Sequence, residues 1–121
     1  MDSIAGISMY FRDNRINVRK ETMRVLGNPR YLKLKVNEQQ KVLFLLASER
    51  DKDAIRIIIN KTQDDDDGQQ HYYVNAKKLV EYLARLIGVE RYSESLRFRG
   101  IYMEEENAVC IDLNNYEVIP Y

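Results

Sequence analysis

The chain has 121 residues, with 19 basic and 19 acidic side chains and 45% hydrophobic residues, which predicts one compact domain rather than two. A single cysteine, Cys110, and a single histidine, His71, exclude an intrachain disulfide and any metal site built from several Cys or His ligands. The low cysteine count favours a reducing, cytoplasmic location. No apolar run reaches the ~18 residues of a membrane span, so we expect no membrane partner.

Alternation of apolar and polar residues predicts a hairpin at the start of the chain, with strands near 7–11 and 16–18. A short helix over 20–26 follows and ends at Gly27, because Asn28 and Pro29 cannot continue it. A second hairpin is predicted at 32–36 and 42–46, with one half-exposed and one buried strand. A strand at 54–59 then leads into 61–70, a polar stretch with four consecutive aspartates that favours disorder.

A longer helix is predicted beyond that stretch, with Asn75 as its N-cap and Gly88 at its end. Strands at 96–102 and 108–113 follow, joined by the turn 104–107, and 116–119 can add an edge strand. The apolar residues of the helix have the i, i+3, i+4, i+7, i+8 spacing of an amphipathic helix and are Leu79, Tyr82, Leu83, Leu86 and Ile87.

The two halves of the chain share one predicted order of elements, namely strand, helix, half-exposed strand, polar turn and buried strand. We therefore expect an α+β, mostly β, fold in which two β-α-β-β units form a small barrel-like or two-layer single domain. Unit one is placed at about 5–60, the acidic loop at 61–70 and unit two at about 71–121. Two such units in one chain would hide strand edges that otherwise invite aggregation.

The zero net charge conceals an asymmetry along the chain. Residues 1–60 hold twelve basic and seven acidic side chains, a balance of +5, and residues 61–121 hold seven and twelve, a balance of −5. The basic half could meet phosphates, or opposite halves of two copies could attract each other. The alternative is that both sets of charges are ordinary solvated surface.

Residues 15–27, RINVRKETMRVLG, resemble the opening motif of the AbrB/MazE swapped-hairpin transition-state-regulator family, with the second hairpin in the place of the family's next hairpin. Two departures are Arg19, where the family has a proline, and Met23. The resemblance implies a small regulator that binds DNA through basic side chains on a β-rich dimer surface, although the family usually builds its barrel from two chains. The residues that carry the resemblance are Arg15, Val18, Arg24, Leu26 and Gly27.

The first function that we expect is therefore a non-enzymatic prokaryotic or phage regulator that binds double-stranded DNA through the basic first unit. Arg15 and Arg24 follow from the resemblance. Lys33 and Lys35 are added because an alternating strand places both on one exposed face. Each phosphate that these side chains neutralise would make binding more salt-dependent. The full predicted site is Arg12, Arg15, Arg19, Lys20, Arg24, Lys33 and Lys35.

The alternative function is a protein-binding module or inhibitor, encoded by a phage or mobile element, that acts on a nucleic-acid-handling protein of the host. It would use the acidic, Tyr-rich second unit, since tyrosine supplies rigid amphipathic contact area. A homodimer is an option under either function. The residues proposed for the protein partner are Asp64, Asp65, Asp66, Asp67, Tyr72 and Tyr102.

The remaining motifs give little support for chemistry. The four aspartates before Gly68 fail the calcium-loop pattern at both ends, so a solvated acidic loop is expected. The segment 97–102 is only loosely similar to an RNA-recognition strand, and Cys110 between Val109 and Ile111 is typical of an inert buried thiol. No enzyme motif occurs, so we expect no catalytic residues, metal or cofactor.

Overall fold

The computed structural model describes residues 4–61, 70–88 and 94–120. Within these residues, ten strands and two helices follow the chain. They are β1 (Gly6–Tyr10), β2 (Arg15–Val18), α1 (Lys20–Val25), β3 (Tyr31–Asn37), β4 (Val42–Ser48), β5 (Ile55–Arg56), β6 (Ile58–Lys61), β7 (Gln70–Asn75), α2 (Lys77–Ile87), β8 (Glu94–Met103), β9 (Ala108–Asp112) and β10 (Glu117–Pro120).

Nine of these strands pair antiparallel in one continuous order, β5-β3-β4-β9-β8-β1-β2-β7-β6, and β10 pairs antiparallel with β8 beside it. Strand β8 divides this order into two layers. Its first half pairs with β1 and β10, and its second half pairs with β9. We call the layer β6-β7-β2-β1-β8-β10 sheet one and the layer β5-β3-β4-β9-β8 sheet two.

A second connection between the layers joins the two terminal strands of the order, β5 and β6. Strand β5 pairs with β3 in sheet two, and β6 pairs with β7 in sheet one, yet only Ile57 separates them along the chain. The Ile57 N–H donates to the carbonyl of Arg30 over 2.9 Å, which holds this crossover against the start of β3. The layers are therefore joined at both ends, and the sheet forms a nearly closed antiparallel barrel.

The core lies between the two layers because every second residue of the central strands points inward. In sheet one, Ile7 and Met9 of β1 are fully buried and lie opposite Phe98 and Leu96 of β8. Sheet two contributes residues that are also fully buried, namely Leu32, Leu43, Leu45, Val109 and Ile111.

Two glycines allow β1 and β8 to approach closely where β8 passes from one sheet to the other. A Cβ atom on Gly6 would lie 2.2 Å from the Phe98 carbonyl oxygen, a distance that no side chain can adopt. The Gly100 N–H donates to the carbonyl of Ala5 over 2.8 Å. A side chain at Gly6 would therefore separate the two strands at the bend of β8.

The short helix α1 is attached to the sheet by Thr22, whose side chain is fully buried. The Thr22 hydroxyl accepts a hydrogen bond from the Gly6 N–H over 2.6 Å and donates one to the Gly6 carbonyl over 2.9 Å. The same carbonyl accepts the Arg19 N–H over 3.1 Å. These bonds set the direction in which the chain leaves β2.

Helix α2 differs in part from the sequence expectation. Its N-cap is Ala76 and makes no side-chain capping bond, so the expected role of Asn75 is wrong. The expected end at Gly88 is confirmed, since Gly88 adopts the left-handed conformation at φ +82° and its N–H donates to the Ala84 carbonyl. The Tyr82 hydroxyl donates to the Glu38 carboxylate, which connects α2 to the β3–β4 turn.

The expected α+β class with two β-α-β-β units is wrong, because the chain forms a mostly β barrel-like sheet with two short helices. A β-α-β-β unit would keep its strands together, but β2 lies in sheet one and pairs with β1 and β7, whereas β3 and β4 lie in sheet two. Groups of strands from the first and the second half of the chain alternate along the strand order instead of forming two separate units. The expected acidic loop falls mainly on residues 62–69, outside the described residues.

Candidate nucleic-acid interface

The outer side of sheet one is polar and carries cations on β8, on β2 and at the β2–α1 junction. Directly opposite residues of antiparallel strands project to the same side. The pairing of β10, β8, β1, β2 and β7 therefore places one row of side chains across this side. The row consists of Glu117, Arg97, Ser8, Asn17 and Tyr73.

Arg15 begins β2 in the neighbouring row, opposite Tyr10 of β1. Its guanidinium lies 5.4 Å from the centre of the Tyr10 ring and 5.1 Å from the centre of the Tyr73 ring, so two cation–π contacts hold it in place. Its ion-pair partner is Asp13, and the guanidinium nitrogen lies 4.0 Å from the Asp13 carboxylate oxygen, at the limit of direct contact. The buried Nε atom of Arg15 has no hydrogen-bond partner.

Arg97 and Arg99 of β8 project to the same outer side and are exposed, because they alternate with Leu96 and Phe98, which are buried in the core. Arg97 is 3.9 Å from a carboxylate oxygen of Glu117, a weak solvent-exposed pair. The count of charges along the chain placed these two arginines in the acidic half, residues 61–121. Their alternation with apolar residues was the signal that could have assigned them to an exposed sheet surface.

A shallow depression joins β8 to the start of α1 across the same side. Arg97 of β8 and Arg19 and Lys20 of the β2–α1 junction all line it. Ser8, Asn17 and His71 form other parts of its wall. We call the side of sheet one that carries Arg15, Arg19, Lys20, Arg97 and Arg99 the basic face.

The other predicted DNA contacts lie elsewhere or are neutralised. Arg12 is exposed in the turn between β1 and β2, and Lys35 is exposed on β3 of sheet two. Arg24 on α1 donates two hydrogen bonds to Glu21, of 2.6 and 2.5 Å. The sequence-based site therefore combined residues from separate surfaces.

Lys33 forms a 2.7 Å ion pair with Asp51. The hydrogen bond and the charge of Asp51 raise the pKa of Lys33, and the same bond lowers the pKa of Asp51. The Glu21 carboxylate likewise raises the pKa of Arg24. Lys33 and Arg24 each have a carboxylate of this chain as partner, which makes them poorer phosphate ligands than the exposed arginines of β8.

Of the six residues proposed for a protein partner, the structure describes Tyr72 and Tyr102. Tyr72 and Tyr102 are half-buried and pack against the core, and the Tyr102 hydroxyl donates to Asn107 over 2.8 Å. Asp64, Asp65, Asp66 and Asp67 lie outside the described residues. Of the two aromatic residues in the RNA-like segment 97–102, Phe98 is fully buried and has no face for a base, and Tyr102 packs against the core.

The described ranges contain no group of three or more His, Cys, Asp or Glu side chains that could hold a metal ion. Burial, with a smaller contribution from Asp112, raises the pKa of the Cys110 thiol, which makes it a weak nucleophile at neutral pH. Neither helix of the described chain is long and apolar enough to span a membrane.

Comparison with protein-family models finds no match, and comparisons with curated proteins and with solved structures find no match either. The resemblance of residues 15–27 to the AbrB/MazE family remains a prediction. The geometry of the basic face is therefore the main basis for a functional proposal.

Proposed function

We propose that the protein is a small non-enzymatic regulator that binds nucleic acid through the basic face, with double-stranded DNA as its ligand. The observation that carries this proposal is the placement of Arg97 and Arg99 beside Arg15, Arg19 and Lys20 on one side of sheet one. Cations from both halves of the chain thus share a surface. Such a cluster attracts phosphates and displaces their counterions.

The aromatic residues of the face favour a duplex over a single strand. Single-strand binding proteins stack bases on free aromatic rings. Here Tyr10 and Tyr73 each have the Arg15 guanidinium over the ring, and Phe98 lies beneath the sheet. The cationic ends of the arginines are thus better placed than the rings to contact the ligand, and phosphates of a duplex are the groups that they suit.

The dimensions of the face support contact with the phosphate backbone rather than insertion into a groove. Strands lie about 4.8 Å apart, so β8 and β2, two positions apart in the order, are separated by roughly 10 Å. Arg97 and Arg99 are about 6.6 Å apart along β8, since each strand residue advances about 3.3 Å. A broad, gently curved surface of this kind can contact phosphates on both sides of a groove.

The alternative function, a module that binds a host protein through the acidic second half, has less support. Tyr72 and Tyr102 contribute to packing against the core rather than to an exposed patch. We place the regulator in the reducing cytoplasm of a prokaryote or of a phage-infected cell, where its single thiol stays reduced.

Anisotropy titration of a labelled mixed-sequence duplex tests the proposal. We compare Arg97→Gln/Arg99→Gln with Arg24→Gln/Lys33→Gln, two variants that lose the same charge, one on the basic face and the other at ion pairs outside it. Five phosphate contacts give a slope of log affinity against log salt of about −4.5 for the wild type, and we expect the face variant to reduce it by about 2.

The control variant should keep the wild-type slope and bind within about twofold of it, because its cations are compensated and lie apart from the face. Absence of binding at about 50 mM salt would refute the proposal. Equal weakening by both variants would show that net charge, and not the basic face, determines binding.

A further inference from the structure

The outer side of sheet two has an apolar centre, unlike the outer side of sheet one, with Lys33, Lys35, Asn37 and Asp112 around it. The register places Phe44 opposite Cys110 and Lys35, and Cys110 in turn opposite Ile101. The next row contains Leu46 opposite Lys33 and Ala108, with Met103 beyond Ala108. We call this surface the apolar face, and its members are Val42, Phe44, Leu46, Ile101, Met103 and Cys110.

These side chains are distinct from the core of the barrel. They alternate along β4 with Leu43 and Leu45, which are fully buried on the inner side. Ile101 is 72% exposed, the highest value among the large hydrophobic residues that the structure describes as exposed. A one-sided antiparallel sheet normally presents polar residues to water, and a contiguous apolar patch indicates a binding surface.

The helices do not account for this surface. Their main contacts are with strands β1, β2, β7 and β8, the strands of sheet one. Phe44 and Leu46 lie on β4, at the centre of sheet two. What covers the apolar face must therefore be identified from the charges at its borders.

The two borders carry opposite charges. Lys35, which is exposed, lies on β3 at one border, where the neighbouring Lys33 is already paired with Asp51. At the other border, β8 ends at Met103 and continues directly into Glu104, Glu105 and Glu106, three exposed carboxylates in the turn before β9. A uniformly acidic or basic protein would complement only one of these borders.

We propose that two copies of this chain pair through their apolar faces. A two-fold axis along the strands, between β4 and β9, lays β3 of each copy over β8 of the other, because the order is β3-β4-β9-β8. Residues of one row then face the same row of the second copy. Lys35 lies over Ile101, and Lys33 lies over Met103, beside Glu104.

This arrangement is self-complementary, so the approach of the Lys35 border of one copy to the Glu104–Glu106 border of the other occurs twice across the axis. The chain has zero net charge, so two copies meet without overall repulsion. At the centre, Phe44 of each copy packs over Cys110 of the other, which removes both from water. The proposal uses none of the basic-face residues and stands independently of nucleic-acid binding.

Sedimentation velocity over about 1–100 µM protein, a range suited to a micromolar dissociation constant, provides the test. We expect a dimer for the wild type and a monomer for Ile101→Lys, which places a cation against Lys35 of the second copy. The matched control is Val118→Lys, the same change of chemistry at a 52% exposed position on β10 of sheet one, and it should dimerise normally.

A charge reversal identifies the second copy as the partner. Adding Lys35→Glu to Ile101→Lys should restore the dimer, because residue 101 of each copy then faces a residue of opposite charge in the other. A monomeric wild type, a larger oligomer, or equal disruption by Val118→Lys would overturn the proposal. Failure of the charge reversal to restore the dimer would refute the orientation of the two copies.

The single cysteine gives a second readout that does not depend on hydrodynamics. The half-buried thiol of Cys110 lies within the apolar face. Its rate of reaction with a maleimide should fall as the wild-type concentration rises, and should be independent of concentration in Ile101→Lys. A wild-type rate that does not change with concentration would contradict the interface.

Discussion

Replacing Thr22 by valine tests the attachment of α1 to the barrel. The two side chains have nearly the same shape, so the change removes the hydroxyl without opening a cavity. That hydroxyl is fully buried and exchanges two hydrogen bonds with the backbone of Gly6, one at 2.6 Å and one at 2.9 Å. The consequence for each backbone group differs.

The Gly6 carbonyl keeps a donor in the variant, since it also accepts the Arg19 N–H over 3.1 Å. The Gly6 N–H loses its acceptor, and an unsatisfied buried donor costs about 1–3 kcal/mol. The loss of the second bond adds about 0.5–1 kcal/mol. Valine recovers part of this through its extra methyl group, so we expect Thr22→Val to lower the free energy of unfolding by about 2 kcal/mol.

Urea denaturation followed by circular dichroism measures this difference directly. The midpoint should shift while the m-value stays unchanged, and the melting temperature should fall by roughly 8 °C for a domain of this size. Thr22→Ser is the control, since it keeps the hydroxyl and loses one methyl group worth about 0.8 kcal/mol. A Thr22→Val protein as stable as the wild type, or more stable than Thr22→Ser, would refute the reasoning.

Two further predictions concern backbone approach and pH. Gly6→Ala should prevent folding or lower the free energy of unfolding, measured by urea denaturation, by more than about 3 kcal/mol, because its Cβ would lie 2.2 Å from the Phe98 carbonyl oxygen. Gly27→Ala should lower it by about 1 kcal/mol, since its Cβ would have no atom within 4 Å but φ is +84°. The hydrogen bond from Lys33 lowers the pKa of Asp51 in the folded protein. This ion pair therefore stabilises the fold fully above the ordinary aspartate pKa of about 3.9, and the stabilisation is lost as the pH falls through the lower folded-state pKa. Thermal melts should therefore show Asp51→Asn slightly less stable than the wild type at neutral pH and equal to it in strong acid; a difference that persists in strong acid would contradict this assignment.

Local patterns predicted most of the strands because they report which side of a strand is buried. The hairpins β1–β2, β3–β4 and β8–β9 are confirmed by their pairing. The fold class was wrong because alternation does not report which strands are neighbours. Nothing in the sequence around Ile7 indicates that β1 pairs with a strand about 90 residues later.

The composition of the basic face shows the same limit. Arg15, Arg19 and Lys20 were among the predicted contacts, whereas Arg97 and Arg99 were considered only as part of the loosely RNA-like segment 97–102. Sheet pairing brings strands together irrespective of the charge balance of the segments around them. A count of charges over half a chain therefore could not predict the potential of a surface built from both halves.

The position of β1 at the centre of the sheet has a consequence for synthesis of the protein. One edge of β1 pairs with β2 at once, but the other needs β8, whose Ser95 lies opposite Tyr10, 85 residues later. At about 5–20 residues per second, the ribosome takes roughly 4–17 s to deliver that partner. Throughout this interval Ile7 and Met9 have no opposing Phe98 and Leu96, and the unpaired edge of β1 is open to other nascent chains. We expect newly made chains to need chaperone protection during elongation, and truncations that end before β8 to aggregate rather than to remain as a folded N-terminal fragment.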